Sequence, residues 1–149
     1  MEIKDVLDKK LICILKSGTK KESILELIAL LDNAGKIKDA RAIEENIFHR
    51  EKLMSTGIGL GVAVPHTRME GVAGPIMAVG IAPSGIKDYE SIDGESVRIV
   101  VLILCGSKQH KEYISLLSGV VNIMKDKDKK ERLFSAKDKE ELFNVLSRR

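Results

Sequence analysis

The residues VRIVVLILC at 97–105 are an almost unbroken apolar run, and this run indicates the class of fold. A strand that is apolar on both faces lies near the centre of a sheet that other elements cover on both sides. A second apolar run, residues 76–82, precedes it. Asp93 and Gly94 between the two runs are a typical turn signal, and we expect residues 84–96 to form an excursion over the surface.

Shorter patterns surround these two strands. Residues 11–15 and 62–64 are predicted strands, and Pro65 ends the second because it lacks the N–H that a ladder needs. The predicted helices share an apolar stripe at helical spacing, and three of them follow a capping residue. They lie between Thr19 (with Glu22 as its capping-box partner) and Gly35, from Asp39 to about Arg50, around 114–124, over 129–134, and over 139–146 after Asp138 (with Glu141).

The order of elements predicts the architecture. Helices come first, strands then cluster together, and helices finish the chain, without an internal repeat. This order favours an α+β protein, an α/β sandwich in which a mixed β-sheet is flanked by helices. The chain has 149 residues and no stretch typical of a linker, so we expect a single domain.

Composition argues against several classes of function. The net charge is only +3, from 25 basic and 22 acidic residues that are interleaved, and aromatic residues make up 3%. We therefore predict no nucleic-acid partner. No apolar run approaches the roughly 20 residues of a membrane span, and the N-terminus is too charged for a secretory signal. The sequence therefore predicts a cytoplasmic protein without direct membrane insertion.

The cysteines and histidines give no sign of a metal or a disulfide. Cys13 and Cys105 lie inside apolar runs, which favours buried free thiols in strands over a disulfide or redox pair. His49, His66 and His110 do not have the spacing of metal ligands. We predict no metal and no cofactor.

Gly57, Gly59 and Gly61 precede the strand at 62–64, but they do not form a nucleotide-binding loop. A dinucleotide fingerprint would need glycine at position 62, which is valine, and no Walker A sequence is present. The glycines therefore indicate a tight bend between a helix and a strand. We expect Pro65 to turn the chain out of the sheet, which would leave His66 just past a strand end, beside this bend. Most histidines in such a place are structural or simply exposed.

A longer pattern includes this histidine. It consists of REKL at 50–53, STGIG at 55–59 and GVAVPH at 61–66. This pattern resembles the IIA domain of the fructose/mannitol family of the bacterial phosphotransferase system, a group that includes the nitrogen-regulatory IIA protein. The likeness continues more loosely through DGESV at 93–97 and covers nearly the whole chain, so residues 1–149 are expected to form one such domain.

The resemblance implies a phosphotransferase component that works through a phosphohistidine. His66 occupies the position that the histidine-containing phosphocarrier protein phosphorylates, and Arg50 matches the family's active-site arginine. A guanidinium there would stabilise the equatorial phosphoryl oxygens. In transport members the group then passes to a IIB component and finally to sugar. In the nitrogen-regulatory branch, phosphorylation of His66 would instead switch binding to a regulatory target protein.

Backbone N–H groups of the bend from Thr56 through Gly57 to Gly59 would add donors for the phosphoryl group. Thr67 follows His66 where family members usually have a small residue, and its hydroxyl would narrow the mouth of the site or contact the phosphate.

Tyr113 stands at the position of the family's second histidine. It can donate a hydrogen bond but does not become a cation at neutral pH. His110, three residues earlier, either takes over that role or is an exposed loop residue.

Overall fold

The computed structural model describes residues 1–147 and contains six helices and six strands. The helices are α1 (Ile3–Val6), α2 (Lys20–Asn33), α3 (Ala40–Leu53), α4 (His110–Lys125), α5 (Lys127–Phe134) and α6 (Lys139–Ser147). The strands are β1 (Ile12–Ile14), β2 (Gly57–Gly59), β3 (Val62–Ala63), β4 (His66–Met69), β5 (Ile76–Ile86) and β6 (Val97–Gly106). A single turn of 3-10 helix, Lys9–Leu11, precedes β1; neither it nor α1 was expected from the sequence.

The run at 97–105 forms β6, which is central as predicted. The sheet has the order β1-β5-β6-β3-β2, and β4 also pairs with β6. β5 and β6 are antiparallel, whereas β3 and β4 run parallel to β6, so the sheet is mixed. Alternate residues of β6 face two separate cores, because successive side chains of a strand point to opposite faces.

Helices cover both faces of the sheet, which confirms the predicted sandwich. Helices α2 and α3 pack on one face against Val100, Leu102 and Leu104. Helices α1, α4, α5 and α6 pack on the other face against Ile99, Val101 and Ile103. The predicted N-caps also hold: the side chains of Thr19, Asp39 and Asp138 each accept a hydrogen bond from the backbone N–H three residues later, at 3.2, 3.1 and 2.9 Å.

Pro65 does not turn the chain out of the sheet, so this part of the sequence-based expectation is wrong. The chain resumes as β4 immediately afterwards, and His66 pairs with Ile103 in the same register in which Val62 pairs with Ile99. The carbonyl of Pro65 still accepts a hydrogen bond of 3.0 Å from the N–H of Ile103. Proline removes one donor but no acceptor, and here the ladder tolerates that loss.

The segment at 84–96 is less superficial than expected. β5 extends to Ile86, and Tyr89 beyond it is only 2% exposed. The two cysteines are free, as predicted, although Cys13 is only partly buried whereas Cys105 is fully so. Burial, followed by the nearby Glu26 carboxylate, raises the pKa of Cys13 to about 11, so this thiol stays protonated at neutral pH.

The glycine-rich segment forms a hairpin rather than a simple bend. Gly57 and Gly59 lie in β2, and the tight turn comes at Gly59, Leu60 and Gly61, which all have positive φ (90°, 61° and 78°). Gly57 is needed for space rather than for its φ. A Cβ atom there would lie 2.1 Å from the carbonyl oxygen of Glu90.

We expect Gly57→Ala to destabilise the protein by about 2–3 kcal/mol, because the Glu90 backbone must move to admit the methyl group. Urea unfolding followed by circular dichroism measures this. Gly18→Ala is the matched control, since a Cβ at Gly18 meets no atom within 4 Å, and it should change the free energy of unfolding by less than about 1 kcal/mol. Equal stabilities of the two variants would contradict the prediction.

Candidate active site

The ring of His66 has a defined tautomer. Its Nδ1 atom lies 2.9 Å from the carbonyl oxygen of Val64. A carbonyl only accepts, so Nδ1 carries the proton and donates to it. In the neutral ring the other nitrogen, Nε2, therefore holds a free lone pair.

Tyr113, in the first turn of α4, stacks on this imidazole. The ring centroids are 4.5 Å apart and the planes differ by 23°. The Tyr113 hydroxyl lies 3.4 Å from Nδ1, the nitrogen that is also bound to the Val64 carbonyl. This contact therefore leaves Nε2 available. Burial raises the pKa of Tyr113, which keeps its hydroxyl neutral.

His66 and Tyr113 line a cavity of about 390 Å³, together with Arg50 and Thr56. We call it the His66 cavity. The rest of its lining is Leu53, Met54, Ser55, Ile58, Val64 and Leu117. Four residues singled out from the sequence thus come together here. The other four, Gly57, Gly59, Thr67 and His110, lie outside the lining.

The surroundings favour a neutral imidazole. Burial lowers the pKa of His66 most, and the positive charges of Arg50 and Arg68 lower it further. The hydrogen bond to Val64 and the Glu51 carboxylate act in the opposite direction, but the pKa still lies below its ordinary value of 6.5. The ring is therefore uncharged at neutral pH, the state in which Nε2 is nucleophilic.

Arg50 lies near the end of α3 and is held by a neutral partner. Its Nε donates to Asn46 Oδ1 at 3.1 Å. The hydroxyl of Thr67 donates to the same oxygen from the other side. Thr67 is only 1% exposed and lies on the face of β4 that α3 covers, opposite to His66. The expectation that its hydroxyl narrows the mouth of the site or contacts a phosphate therefore does not hold.

Thr56 belongs to a buried network around Glu51. The Glu51 side chain is 3% exposed and forms an ion pair of 3.0 Å with Lys20. It also accepts a hydrogen bond of 3.2 Å from the Thr56 N–H and another from the Thr56 hydroxyl. The Tyr89 hydroxyl lies 2.8 Å from the Thr56 oxygen. Thr56 is thus fixed beside the cavity with its donors already used.

The backbone N–H groups of the two glycines in β2 are also already hydrogen-bonded. The N–H of Gly57 donates to Ser55 Oγ at 3.3 Å, and that of Gly59 donates to Ser91 Oγ at 3.1 Å. These groups therefore bind within the protein rather than offering donors to a phosphoryl group, contrary to the sequence-based expectation. His110 is exposed, and it is the first residue of α4. It is therefore not the exposed loop residue that one of the two sequence-based alternatives described.

Sequence reasoning missed Asn46 and Glu51. Asn46 had a usable signal, because a side chain four residues before Arg50 on a helix lies next to it. Glu51 had none, since its partner Lys20 comes from a different helix. A carboxylate next to Arg50 in sequence would ordinarily be read as exposed.

Known proteins are similar to this chain over nearly its whole length. Residues 5–149 match the family model for the phosphoenolpyruvate-dependent sugar phosphotransferase system, EIIA 2. The chain belongs to this family. Its membership in the EIIA 2 family confirms the resemblance that the motif at 50–66 indicated.

Both branches of the family are among the relatives of this EIIA 2 chain. The fructose-specific EIIABC component of Bacillus subtilis is 30% identical over 148 residues, which are 99% of this chain but only 23% of the relative. The nitrogen regulatory protein of Pseudomonas aeruginosa is 35% identical over 130 residues, covering 87% of this chain and 84% of the relative. The crystal structure of the nitrogen regulatory protein IIA-Ntr from Neisseria meningitidis matches with a TM-score of 0.86 at 28% identity, covering 97% and 98% of the two chains.

Residues 1–147 of this EIIA 2 chain contain no group of three or more His, Cys, Asp or Glu side chains that could hold a metal ion. Within the same range no helix is long and apolar enough to cross a membrane.

We expect His66 to titrate below 6.5, its ordinary value, in an NMR titration of its ring protons. Arg50→Ala should raise the midpoint, because the lost positive charge disfavours the imidazolium. Arg41→Ala is the control, since Arg41 is an exposed arginine on the same helix, and it should leave the midpoint unchanged. A parent midpoint at or above the ordinary value would contradict the prediction.

The same shift has a consequence for stability. The folded-state pKa of His66 lies below the unfolded-state value. The contribution of His66 to the free energy of unfolding is therefore fully present above the unfolded-state pKa, and it is lost as the pH falls through the folded-state pKa.

Proposed function

We propose that this chain is a phosphoryl carrier of the sugar phosphotransferase system. It accepts a phosphoryl group from the histidine-containing phosphocarrier protein on Nε2 of His66 and passes it to a IIB component. The observation that carries the proposal is the fixed tautomer of His66: Nδ1–H is bound to the Val64 carbonyl, which leaves a nucleophilic Nε2 in a cavity that Arg50 also lines.

The proposed step needs no proton transfer. The N–P bond of the phosphorylated carrier histidine breaks while a bond forms between phosphorus and Nε2 of His66. Nε2 supplies its lone pair, and the carrier ring, which is protonated on its other nitrogen, keeps the electron pair of the broken bond and leaves as neutral imidazole. The proton on Nδ1 stays in its hydrogen bond to Val64. Catalysis then consists of positioning and charge stabilisation, as is usual for phosphoryl transfer.

Arg50 supplies the charge stabilisation in this scheme. Its guanidinium has several N–H donors, of which only Nε–H is bound to Asn46. Among the described residues no ion pair includes Arg50, so its guanidinium has no carboxylate within ion-pairing distance. The remaining donors suit the equatorial oxygens of a phosphoryl group.

The rim of the His66 cavity supports transfer between proteins. Leu53 and Met54 at the end of α3 are 73% and 77% exposed. Exposed apolar side chains beside a reactive group are typical of a surface that a partner protein covers. A relative named as a fructose-specific EIIABC component supports a B component as the acceptor. The two free cysteines fit a reducing compartment, and we place the relay in the cytoplasm, with residues 1–149 as one IIA domain.

A regulatory role is the second candidate. It is favoured by the nitrogen regulatory relative from Pseudomonas aeruginosa, which is matched over 84% of its length at 35% identity. Phosphorylation of His66 would then alter the charge of the surface around Leu53 and Met54 and so change the binding of a target protein. The chemistry at His66 is the same in both cases, and only the next partner differs.

We expect His66→Ala to abolish phosphorylation by the phosphocarrier protein, because the lone pair of Nε2 is lost. Mass spectrometry under alkaline conditions, where phosphohistidine survives, measures the label. His49→Ala and His110→Ala remove the two exposed histidines and should leave the label intact. Labelling that persists in His66→Ala would remove this residue from the mechanism, and a ¹⁵N spectrum showing phosphorus on Nδ1 would refute the choice of Nε2.

Tyr113→His separates the two roles. If Tyr113 replaces a histidine that assists onward transfer, the parent should take up phosphate well but pass it on slowly. The substitution should then speed transfer to a IIB component by roughly tenfold, because charge-assisted hydrogen bonds are about twice as strong as neutral ones. Both half-reactions are measured with purified partners. Fast parental transfer that the substitution does not change would contradict this role for Tyr113, whereas absent transfer alongside a target that distinguishes phosphorylated from free protein would favour regulation.

A further inference from the structure

The amide of Asn46 joins two residues that are distant in sequence. Its Oδ1 accepts hydrogen bonds from Arg50 Nε, at 3.1 Å, and from the hydroxyl of Thr67. Nε–H of an arginine can only donate, so the oxygen of the amide must face it. The Thr67 hydroxyl, bound to the same oxygen, must then donate as well. Two donors from different elements thus fix the orientation of one acceptor.

This acceptor holds Arg50 without neutralising it. An arginine side chain has several rotatable bonds, and a bond at Nε restricts all of them up to the guanidinium. A carboxylate at position 46 would hold Nε equally well, but it would also form an ion pair with the guanidinium. The neutral amide leaves the positive charge for a ligand in the His66 cavity, which Arg50 lines.

Thr67 ties this arrangement to the strand that carries His66. The two residues are adjacent on β4, and their side chains lie on opposite faces of the sheet. The side chain of Thr67 is buried against α3, where an unpaired hydroxyl would be costly. The bond to Asn46 therefore links β4 to α3 one residue away from the imidazole. A residue without a hydroxyl at this position could not donate it.

We propose that Thr67 is a positioning residue for Arg50, acting through Asn46, and that it sets the place of the guanidinium relative to His66. For phosphoryl transfer this inference rests on the proposed function. The link among the three side chains does not, and it can be measured in the free protein.

The test compares Thr67→Val, which keeps the shape but loses the hydroxyl, with Thr67→Ser, which keeps the hydroxyl. In Thr67→Val we expect solvent exchange of the Arg50 Nε proton, measured by NMR, to be about threefold to tenfold faster, as the loss of one buried hydrogen bond implies. Phosphorylation by the phosphorylated phosphocarrier protein should slow by a similar factor in kcat, with little change in KM. Thr67→Ser should restore both values.

The control variant and the substitute for Thr67→Val both change residues of α3. Glu45→Ala removes an exposed side chain next to Asn46 and should change neither value. If Thr67→Val does not fold, Asn46→Ala takes its place, since alanine is well tolerated in a helix, and it should accelerate Nε–H exchange at least as much.

Each outcome has a distinct meaning. The inference is overturned if the Arg50 Nε–H exchange rate is unchanged in Thr67→Val, or in Asn46→Ala where that variant is used. It is also overturned if only KM changes, or if Thr67→Ser does not restore the parent values. If exchange responds as expected but neither parent nor variants accept phosphate, the proposed function fails while the link from Thr67 to Arg50 stands.

Discussion

The parallel pairing of β4 with β6 is the constraint on which the site depends. In this register His66 pairs with Ile103 and Thr67 pairs with Leu104. The His66 side chain therefore points towards α4, and the Thr67 side chain points towards α3. A slip of one residue would exchange the two faces. Thr67 would then lie in the cavity, and the imidazole would be buried against α3. Such a slip would be costly, because the imidazole would lose its contact with Tyr113 and the Thr67 hydroxyl would lose its bond to Asn46.

Two helical layers meet at the imidazole because of this register. Helix α3 brings Arg50 from one layer, and α4 brings Tyr113 from the other. Burial and the two arginines near the ring lower the pKa of His66, and they outweigh the Val64 carbonyl and Glu51. Positive charge that disfavours the imidazolium also favours an anionic group on the ring. The same electrostatics therefore suit both the free nucleophile and the phosphorylated product that we propose.

A rigid frame surrounds these groups. The Glu51 carboxylate ties the start of α2, through Lys20, to Thr56 beside the cavity. Removing either partner of this ion pair would leave a buried charge uncompensated, which usually costs more than the pair contributes. Under the proposed function, a transport role and a regulatory role could share such a frame, since only the next partner would differ between them.

The elements whose signals are local could be predicted from the sequence. A nearly continuous apolar run placed the central strand. Single capping residues such as Thr19 and Asp39 placed helix starts, because a cap joins residues only three positions apart. The motif at 50–66 was enough to identify the family and to single out His66 and Arg50. The contacts of these residues, in contrast, depend on how distant segments of the fold pack together. The fold continues the sheet past Pro65, because β6 supplies an N–H for the proline carbonyl. The fold also turns Thr67 away from the cavity and towards Asn46, 21 positions earlier in the chain. No local pattern encodes this contact, because the sheet register and the helix packing create it.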